Sequence, residues 1–335
     1  MVDGVPFLRV EQEGLVAVAL YHLDQGRHDE ALVALLTNQD DWWTGPATDL
    51  GELRRLVAER DTLTLREAMA LLRLGPVADY FAYRWSDPTY LAGLALLEAH
   101  WNEPRTAFEL ACGAGHYLRE LTRRGVRCLG ADVVFAKCWL AKHWVAPDAD
   151  YVVFDAGATW PIGDARFDLV QCHDAFYFLP RQEFVLERLR VAVAPTGVLA
   201  VSHIHNSAFE GGAKGPARPA DEWAELFSDA RVYAERALLA ALARADAPAP
   251  QGWADDPAVE AWSLVEGGGP ARPVEGGVAV PPADAELRPN PLLGPDGPLW
   301  PSDRYRDEYA ADSAWTGEEG DPARTRRLVD LPERW

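Results

Sequence analysis

From residue 106 to residue 205 the chain alternates short apolar runs with helical stretches. The runs cover 106–112, 127–133, 151–156, 167–173 and 197–205, and the helical stretches cover 116–125, 135–144 and 181–194. Strands separated by helices predict a parallel sheet with helices on both faces. The near-continuous run Gly197-Val198-Leu199-Ala200-Val201 suits a strand buried on both sides. Further strand candidates at 231–235 and 259–265, with helices at 222–227 and 237–244, continue the pattern. The expected class is α/β.

The flanks read differently. Near the N-terminus two apolar runs, 15–20 and 31–36, flank a turn at Gly26. The phrase 19–36 looks like one tetratricopeptide unit, but a solenoid needs about three stacked repeats and no second copy follows. Two packed helices are the plainer expectation. Amphipathic segments at 50–57 and 65–74 come next, then the aromatic run Tyr80-Phe81-Ala82-Tyr83-Arg84-Trp85. A helix over 88–101 should follow, with Asp87 as N-cap and Pro88 in its first turn. At the other end, 14 of the 25 prolines fall in the last 90 residues, which erases any period. Trp300, Tyr305, Tyr309, Trp315 and Trp335 are nevertheless more aromatic surface than a disordered tail carries. Three parts are expected: a helical cap and substrate segment over 1–104, a ligand-binding sheet domain over 105–268, and a Pro/Trp/Tyr-rich extension over 269–335 that wraps the core.

Charge narrows the partners. With 32 Lys+Arg against 52 Asp+Glu the formal charge is −20, so no nucleic acid and no anionic membrane is expected, because both need a Lys/Arg-lined surface. No run of about 18 apolar residues marks a membrane span, and no basic segment precedes an apolar core as in an export signal. The four cysteines, Cys112, Cys128, Cys138 and Cys172, form no C-x-x-C pair, which argues against a zinc knuckle or a disulfide framework. A cytoplasmic monomer or homodimer with reduced thiols is the expectation.

In open α/β sheets ligands bind at the carboxyl ends of the strands. The first run passes into Glu109-Leu110-Ala111-Cys112-Gly113-Ala114-Gly115, where glycines let the backbone turn tightly and approach a bound molecule. The amides that open the next helix then face that ligand. A dinucleotide fingerprint places a third glycine at 118, which here is Leu118. The second run ends at Asp132, 17 residues after Gly115, where a carboxylate suits ribose hydroxyls. Val133 and Phe135 follow as apolar groups for one face of an adenine. The third run ends at Asp155-Ala156, a carboxylate for an exocyclic amine and an amide for a ring nitrogen. The fourth ends at Cys172-His173-Asp174, followed by Ala175 to Pro180.

With these residues in view, the stretch 106–206 resembles the class I S-adenosylmethionine-dependent methyltransferases. Glu109 to Gly115 is similar to their acidic-x-x-x-Gly-x-Gly signature. Phe167-Asp168-Leu169-Val170 with Phe178-Leu179-Pro180 resembles their fourth-strand motif, and Pro195-Thr196-Gly197-Val198-Leu199 the turn entering their fifth strand. The resemblance implies a seven-stranded, mostly parallel Rossmann-like sheet, S-adenosylmethionine as cofactor and S-adenosylhomocysteine as product. It implies that Gly113 and Gly115 line the methionine moiety with Glu109 supporting the loop and Cys112 buried within it. Asp132 would hold the ribose, Val133, Asp155 and Ala156 the adenine, and His173 would lie beside the reacting centre. O- or N-methylation of a small-molecule substrate is the implied function. Two other readings stay open: a nicotinamide-dependent oxidoreductase, against which Leu118 counts, and a non-catalytic scaffold that binds a partner through its tetratricopeptide-like start.

Methyl transfer from a sulfonium is an in-line displacement, to which a protein contributes chiefly geometry. A hydroxyl acceptor also needs its proton taken by a positioned His, Asp or Glu. His203 and His205 end the fifth strand in Ser202-His203-Ile204-His205-Asn206, and their two-residue spacing predicts one shared side. One of them is the expected base. Asp174 is a candidate to orient a histidine or bind substrate, and Tyr177 to contribute a hydroxyl. His-x-His also suits a metal, but no third ligand accompanies it and no metal is expected. Substrate recognition is expected from Tyr80, Tyr83, Trp85 and the C-terminal extension.

Overall fold

A computed structural model describes residues 1–335 except 41, 42, 44, 212–214 and 318. Helices cover Glu13–Asp24 (α1), His28–Leu36 (α2), Leu50–Glu59 (α3), Leu65–Leu72 (α4), Pro76–Tyr83 (α5) and Pro88–Ala99 (α6) ahead of the first strand. The strands are Thr106–Leu110 (β1), Arg127–Asp132 (β2), Asp150–Val153 (β3), Phe167–His173 (β4), Val193–His205 (β5), Arg231–Ala234 (β6) and Ala261–Gly267 (β7). Between and after them come His116–Thr122 (α7), Phe135–Leu140 (α8), Gln182–Ala192 (α9), Ala220–Leu226 (α10), Glu235–Arg244 (α11) and Asp303–Tyr309 (α12).

The strands join one sheet in the order β3-β2-β1-β4-β5-β7-β6. Strand β2 is parallel to β3 and β4 to β5, while β7 runs antiparallel to both β5 and β6. The expected seven-stranded, mostly parallel, Rossmann-like sheet is present. Most element bounds shift by a few residues from the sequence reading, and two differences have a structural cause. Strand β5 starts at Val193 because Phe167 pairs with Val193 before the register shifts to Leu169 opposite Val198. The helix expected over 135–144 is α8 followed by a π-turn, Ala141–Val145.

The chain divides into two compact units, residues 1–82 with 109–163 and 332–335, and residues 83–108 with 164–331. In the first, α1 and α2 pack as a hairpin about Gly26. Ala31 to Leu36 of α2 are all buried. Helix α4 opens with a capping box in which Thr64 and Glu67 satisfy each other's backbone amides. The outer edge of β3 is covered by the N-terminal segment: Leu8 N–H donates to Val153 O at 2.8 Å and Val153 N–H to Pro6 O at 2.9 Å.

In the second unit α6 is apolar all round and every one of its 12 residues is buried, as a helix without a polar face must be. Asp87 caps it, accepting Tyr90 N–H at 3.0 Å, as its sequence predicts. The proline-rich extension has few ladder partners, so side chains satisfy much of its backbone instead. Glu98 accepts the amides of Gly276, Val278 and Ala279 at 2.5–2.7 Å. Arg324 donates to the carbonyls of Leu242, Val274 and Glu275 at 2.5–3.0 Å. Tyr305, Tyr309 and Trp315 are buried, which explains the aromatic density of that segment. Among the described residues, no helix is long and apolar enough to cross a membrane.

Candidate active site

The first candidate region is the turn from β1 into α7. Ala111, Gly113 and Gly115 all adopt left-handed backbone, with φ of +57°, +52° and +81°. A Cβ at Gly115 would stand 2.9 Å from Ala141 Cβ, and one at Gly113 would stand 2.9 Å from Phe81 Cε1, so both positions require glycine. Asp132, at the end of β2, ties the turn down. Its Oδ2 accepts Gly113 N–H at 3.0 Å and its Oδ1 accepts Val134 N–H at 2.9 Å. Lys137 Nζ lies 4.0 Å from Asp132 and 2.7 Å from Asp40. Burial works against its charge, but Asp132 and Asp40 hold its pKa above the ordinary lysine value.

The other predicted residues of this region fall around the same turn. Glu109 is buried inside β1. The Cys112 thiol is buried, and burial first, then Cys138, push its pKa well up, so it stays a neutral thiol. Val133 is half-buried and its carbonyl accepts Arg9 Nη1 at 3.2 Å. Asp155 is half-buried and accepts Gly157 N–H at 2.7 Å, while the Ala156 carbonyl accepts Trp160 Nε1 at 2.8 Å. Asn38 was not anticipated: its Oδ1 accepts Phe135 N–H at 3.2 Å.

The second region lies at the ends of β4 and β5. Along β5, Val201 pairs with Leu264 but Ile204 pairs with Trp262, so one extra residue bulges out. His203 sits in that bulge with φ +58°. The strict alternation that predicted a shared side for His203 and His205 is therefore interrupted, yet their rings meet with centroids 4.7 Å apart.

The two histidines of β5 are shifted in opposite directions. His203 Nδ1 lies 2.8 Å from Glu235 Oε2 and its Nε2 3.8 Å from Asp174 Oδ1. Burial opposes protonation, but Glu235 and then Asp174 outweigh it and raise the pKa to about 10. A raised pKa favours the imidazolium at neutral pH, which makes His203 the weaker of the two candidate bases. His205 is the reverse: burial, then the charge on His203, lower its pKa to about 4. Burial and the nearby Arg84 lower His173 to about 3, and its Nδ1 lies 2.7 Å from Ser202 Oγ. The Tyr177 hydroxyl donates to Asp174 Oδ1 at 3.2 Å. Burial and Asp174 push the phenol upward, so it stays protonated. Arg84 Nη1 donates both to Asp87 at 2.7 Å and to Asp174 at 3.3 Å. A cavity opens beside His203 and Glu235, bordered also by Leu239, Glu260, Glu308 and Tyr309.

Residues 108–201 match the methyltransferase-domain family. This stretch is a class I S-adenosylmethionine-dependent methyltransferase domain. The match decides against the nicotinamide reading. A TehB-like S-adenosylmethionine-dependent methyltransferase from Corynebacterium glutamicum is 19% identical, with 58% of this chain and 100% of that one covered and a TM-score of 0.41. The CcbJ methyltransferase of Streptomyces caelestis is 14% identical over 54% of this chain and 96% of that one, with a TM-score of 0.42. An amino pentose methyltransferase from Micromonospora echinaspora, bound to S-adenosylmethionine, is 23% identical over 36% of this chain and 52% of its own length, with a TM-score of 0.31. No curated protein matches the chain.

The residues of the methyltransferase domain fit that cofactor chemically. The turn is free of side chains at 113 and 115, and each Asp132 oxygen, although it accepts one amide, keeps a further lone pair for a hydroxyl. Sequence reasoning missed Arg84, Ser202, Glu235 and Ser263. Each is remote in the chain from the histidine it affects, and no local spacing marks it.

Proposed function

We propose that the protein transfers a methyl group from S-adenosylmethionine to an oxygen or nitrogen of a small-molecule acceptor, with the β1–α7 turn holding the cofactor. The observation that carries this reading is Asp132, whose carboxylate clasps the Gly113 amide of the turn while keeping lone pairs for ribose hydroxyls. When bound, S-adenosylmethionine supplies an electrophilic methyl group: the acceptor lone pair forms the new bond to carbon, the C–S pair leaves with sulfur, and S-adenosylhomocysteine departs.

The chain's own residues divide the remaining work. Gly113 and Gly115 allow close approach of the backbone, and Asp155 with Ala156 serves the adenine. Neutral His205 keeps a lone pair at physiological pH and accepts the proton of a hydroxyl acceptor. An amine acceptor that arrives unprotonated needs no such base. The cavity beside His203 carries Glu235, Glu260 and Glu308, which favours a neutral or cationic acceptor over an anionic one.

Titration calorimetry tests the cofactor. S-Adenosylmethionine and S-adenosylhomocysteine are expected to bind in the micromolar range and NAD not at all; absence of binding by the first two overturns the reading. A screen of sugars, phenols, amines and carboxylates, read by S-adenosylhomocysteine release, then identifies the acceptor.

A further inference from the structure

Glu235 is the first residue of α11, where the unpaired amides of a helix start favour a negative charge. Both of its oxygens are engaged. Oε1 accepts Ser263 Oγ at 3.2 Å, and Oε2 lies 2.8 Å from His203 Nδ1. The same Ser263 hydroxyl accepts His203 N–H at 3.4 Å, so the serine fixes both the carboxylate and the backbone of the bulge that carries the histidine. Ser263 is fully buried, and this clamp leaves His203 one orientation, with Nε2 toward Asp174.

Beyond His203 the contacts continue to the second histidine. The His203 and His205 rings meet at 76°, and the Tyr177 ring closes over His205 with centroids 4.4 Å apart. His205 Nδ1 has no hydrogen-bond partner among the described residues. The charged and titratable groups facing the pair are Glu235 from α11, Asp174 and Tyr177 from the segment after β4, and Glu260 just ahead of β7, with Arg236, Glu308 and Asp312 lining the cavity beside His203. Arg84 reaches them through Asp174.

We propose that Glu235 is a positioning residue: clamped by Ser263, it holds His203 as a fixed cation whose ring meets that of the buried His205, so that the cation adds to burial in favouring the neutral His205 that can accept a proton. The use of His205 in methyl transfer rests on the function proposed above; the charge arrangement does not.

Histidine ring NMR on the full chain tests it, with signals assigned through His203→Gln and His205→Gln. In the unsubstituted protein the His203 signal is expected to remain that of an imidazolium at pH 8, and the His205 signal that of a neutral ring at pH 6. Glu235→Gln keeps the size and removes the charge. It should lower the His203 midpoint by about one pH unit or more, whereas removing the cation itself, in His203→Gln, should raise the His205 midpoint. Glu235→Asp should restore the His203 midpoint in part. A purely structural role for Glu235 would shift the melting temperature and leave the titrations in place. A neutral His203 at pH 8 in the unsubstituted protein overturns the proposal even if Glu235→Gln does not fold. An unmoved His203 midpoint in a folded Glu235→Gln, or an unmoved His205 midpoint in a folded His203→Gln, overturns it equally. Failure of cofactor binding in the calorimeter would instead strike the proposed function and leave these titrations standing.

Discussion

In the turn after β1 the groups that would meet a ligand are backbone amides, and side chains serve to hold them: Asp132 accepts Gly113 and Val134, and glycine at 113 and 115 keeps the space clear. At the ends of β4 and β5 the candidate groups are imidazole rings. Their protonation is set by burial and by charges from separate stretches of chain: Arg84, Asp174, His203, Glu235 and Glu260. A site made of backbone depends on conformation and barely on pH. A site made of buried rings depends on the net field of its neighbours, so one distant carboxylate can change what it does.

The sharpest separation of the two regions comes from paired substitutions. His205→Gln is expected to lower turnover of a hydroxyl acceptor about 100-fold or more with S-adenosylmethionine affinity unchanged by calorimetry. Asp132→Ala should weaken cofactor binding about tenfold to 100-fold, since it removes charged acceptors from two amides, and leave the histidine titrations where they were. If Asp132→Ala shifted those titrations, the two regions would share one field and the contrast would fail.

Acidity should act through buried histidines: His173 and His205 of the histidine region, and His100 at the C-terminal end of α6, whose Nε2 lies 2.8 Å from the Tyr233 hydroxyl. His100, His173 and His205 have folded pKa values of about 4, 3 and 4 against an ordinary 6.5, burial being the first cause in each. Below about pH 6.5 the unfolded chain takes up protons that the fold refuses, so their contribution, complete above that pH, is lost as pH falls toward 4. His203 has the opposite sign. Its folded value of about 10 lies above 6.5, so its contribution is complete below 6.5 and fades as pH rises through 10. Melting temperature should therefore peak near neutrality, and Glu235→Gln should flatten the alkaline decline. A melting temperature that stays constant from pH 4 to pH 7 would contradict the buried neutral histidines.

The smallest effect is expected at the turn itself. Gly115→Ala forces a Cβ to 2.9 Å from Ala141 at φ +81°, costing about 1–3 kcal/mol. Gly252→Ala, with nothing within 4 Å of the new Cβ, should melt within error of the unsubstituted protein.

Much of this architecture was legible because its causes are local. The strand–helix alternation, the Asp87 cap and the aromatic burial of the extension all follow from residues adjacent in sequence. The limits of that reading appear at β5. Alternation assigned His203 and His205 to one side, but an inserted residue opposite β7 put His203 into left-handed backbone, and nothing in Ser202 to Asn206 announces a bulge. The choice between the two histidines was closed to sequence for a related reason. His203 and His205 have nearly identical neighbours in the chain, whereas Glu235 lies 32 positions away from His203.

The order of runs and glycines in this chain was enough to specify an α/β methyltransferase domain and the turn expected to hold its cofactor, because hydrophobic period and left-handed backbone are properties of neighbouring residues. Which imidazole is charged and which is neutral depended on folding. Protonation follows burial and the distance to other charges, and only the tertiary fold brings Glu235, Asp174 and Ser263 to within hydrogen-bonding or ion-pairing reach of one histidine.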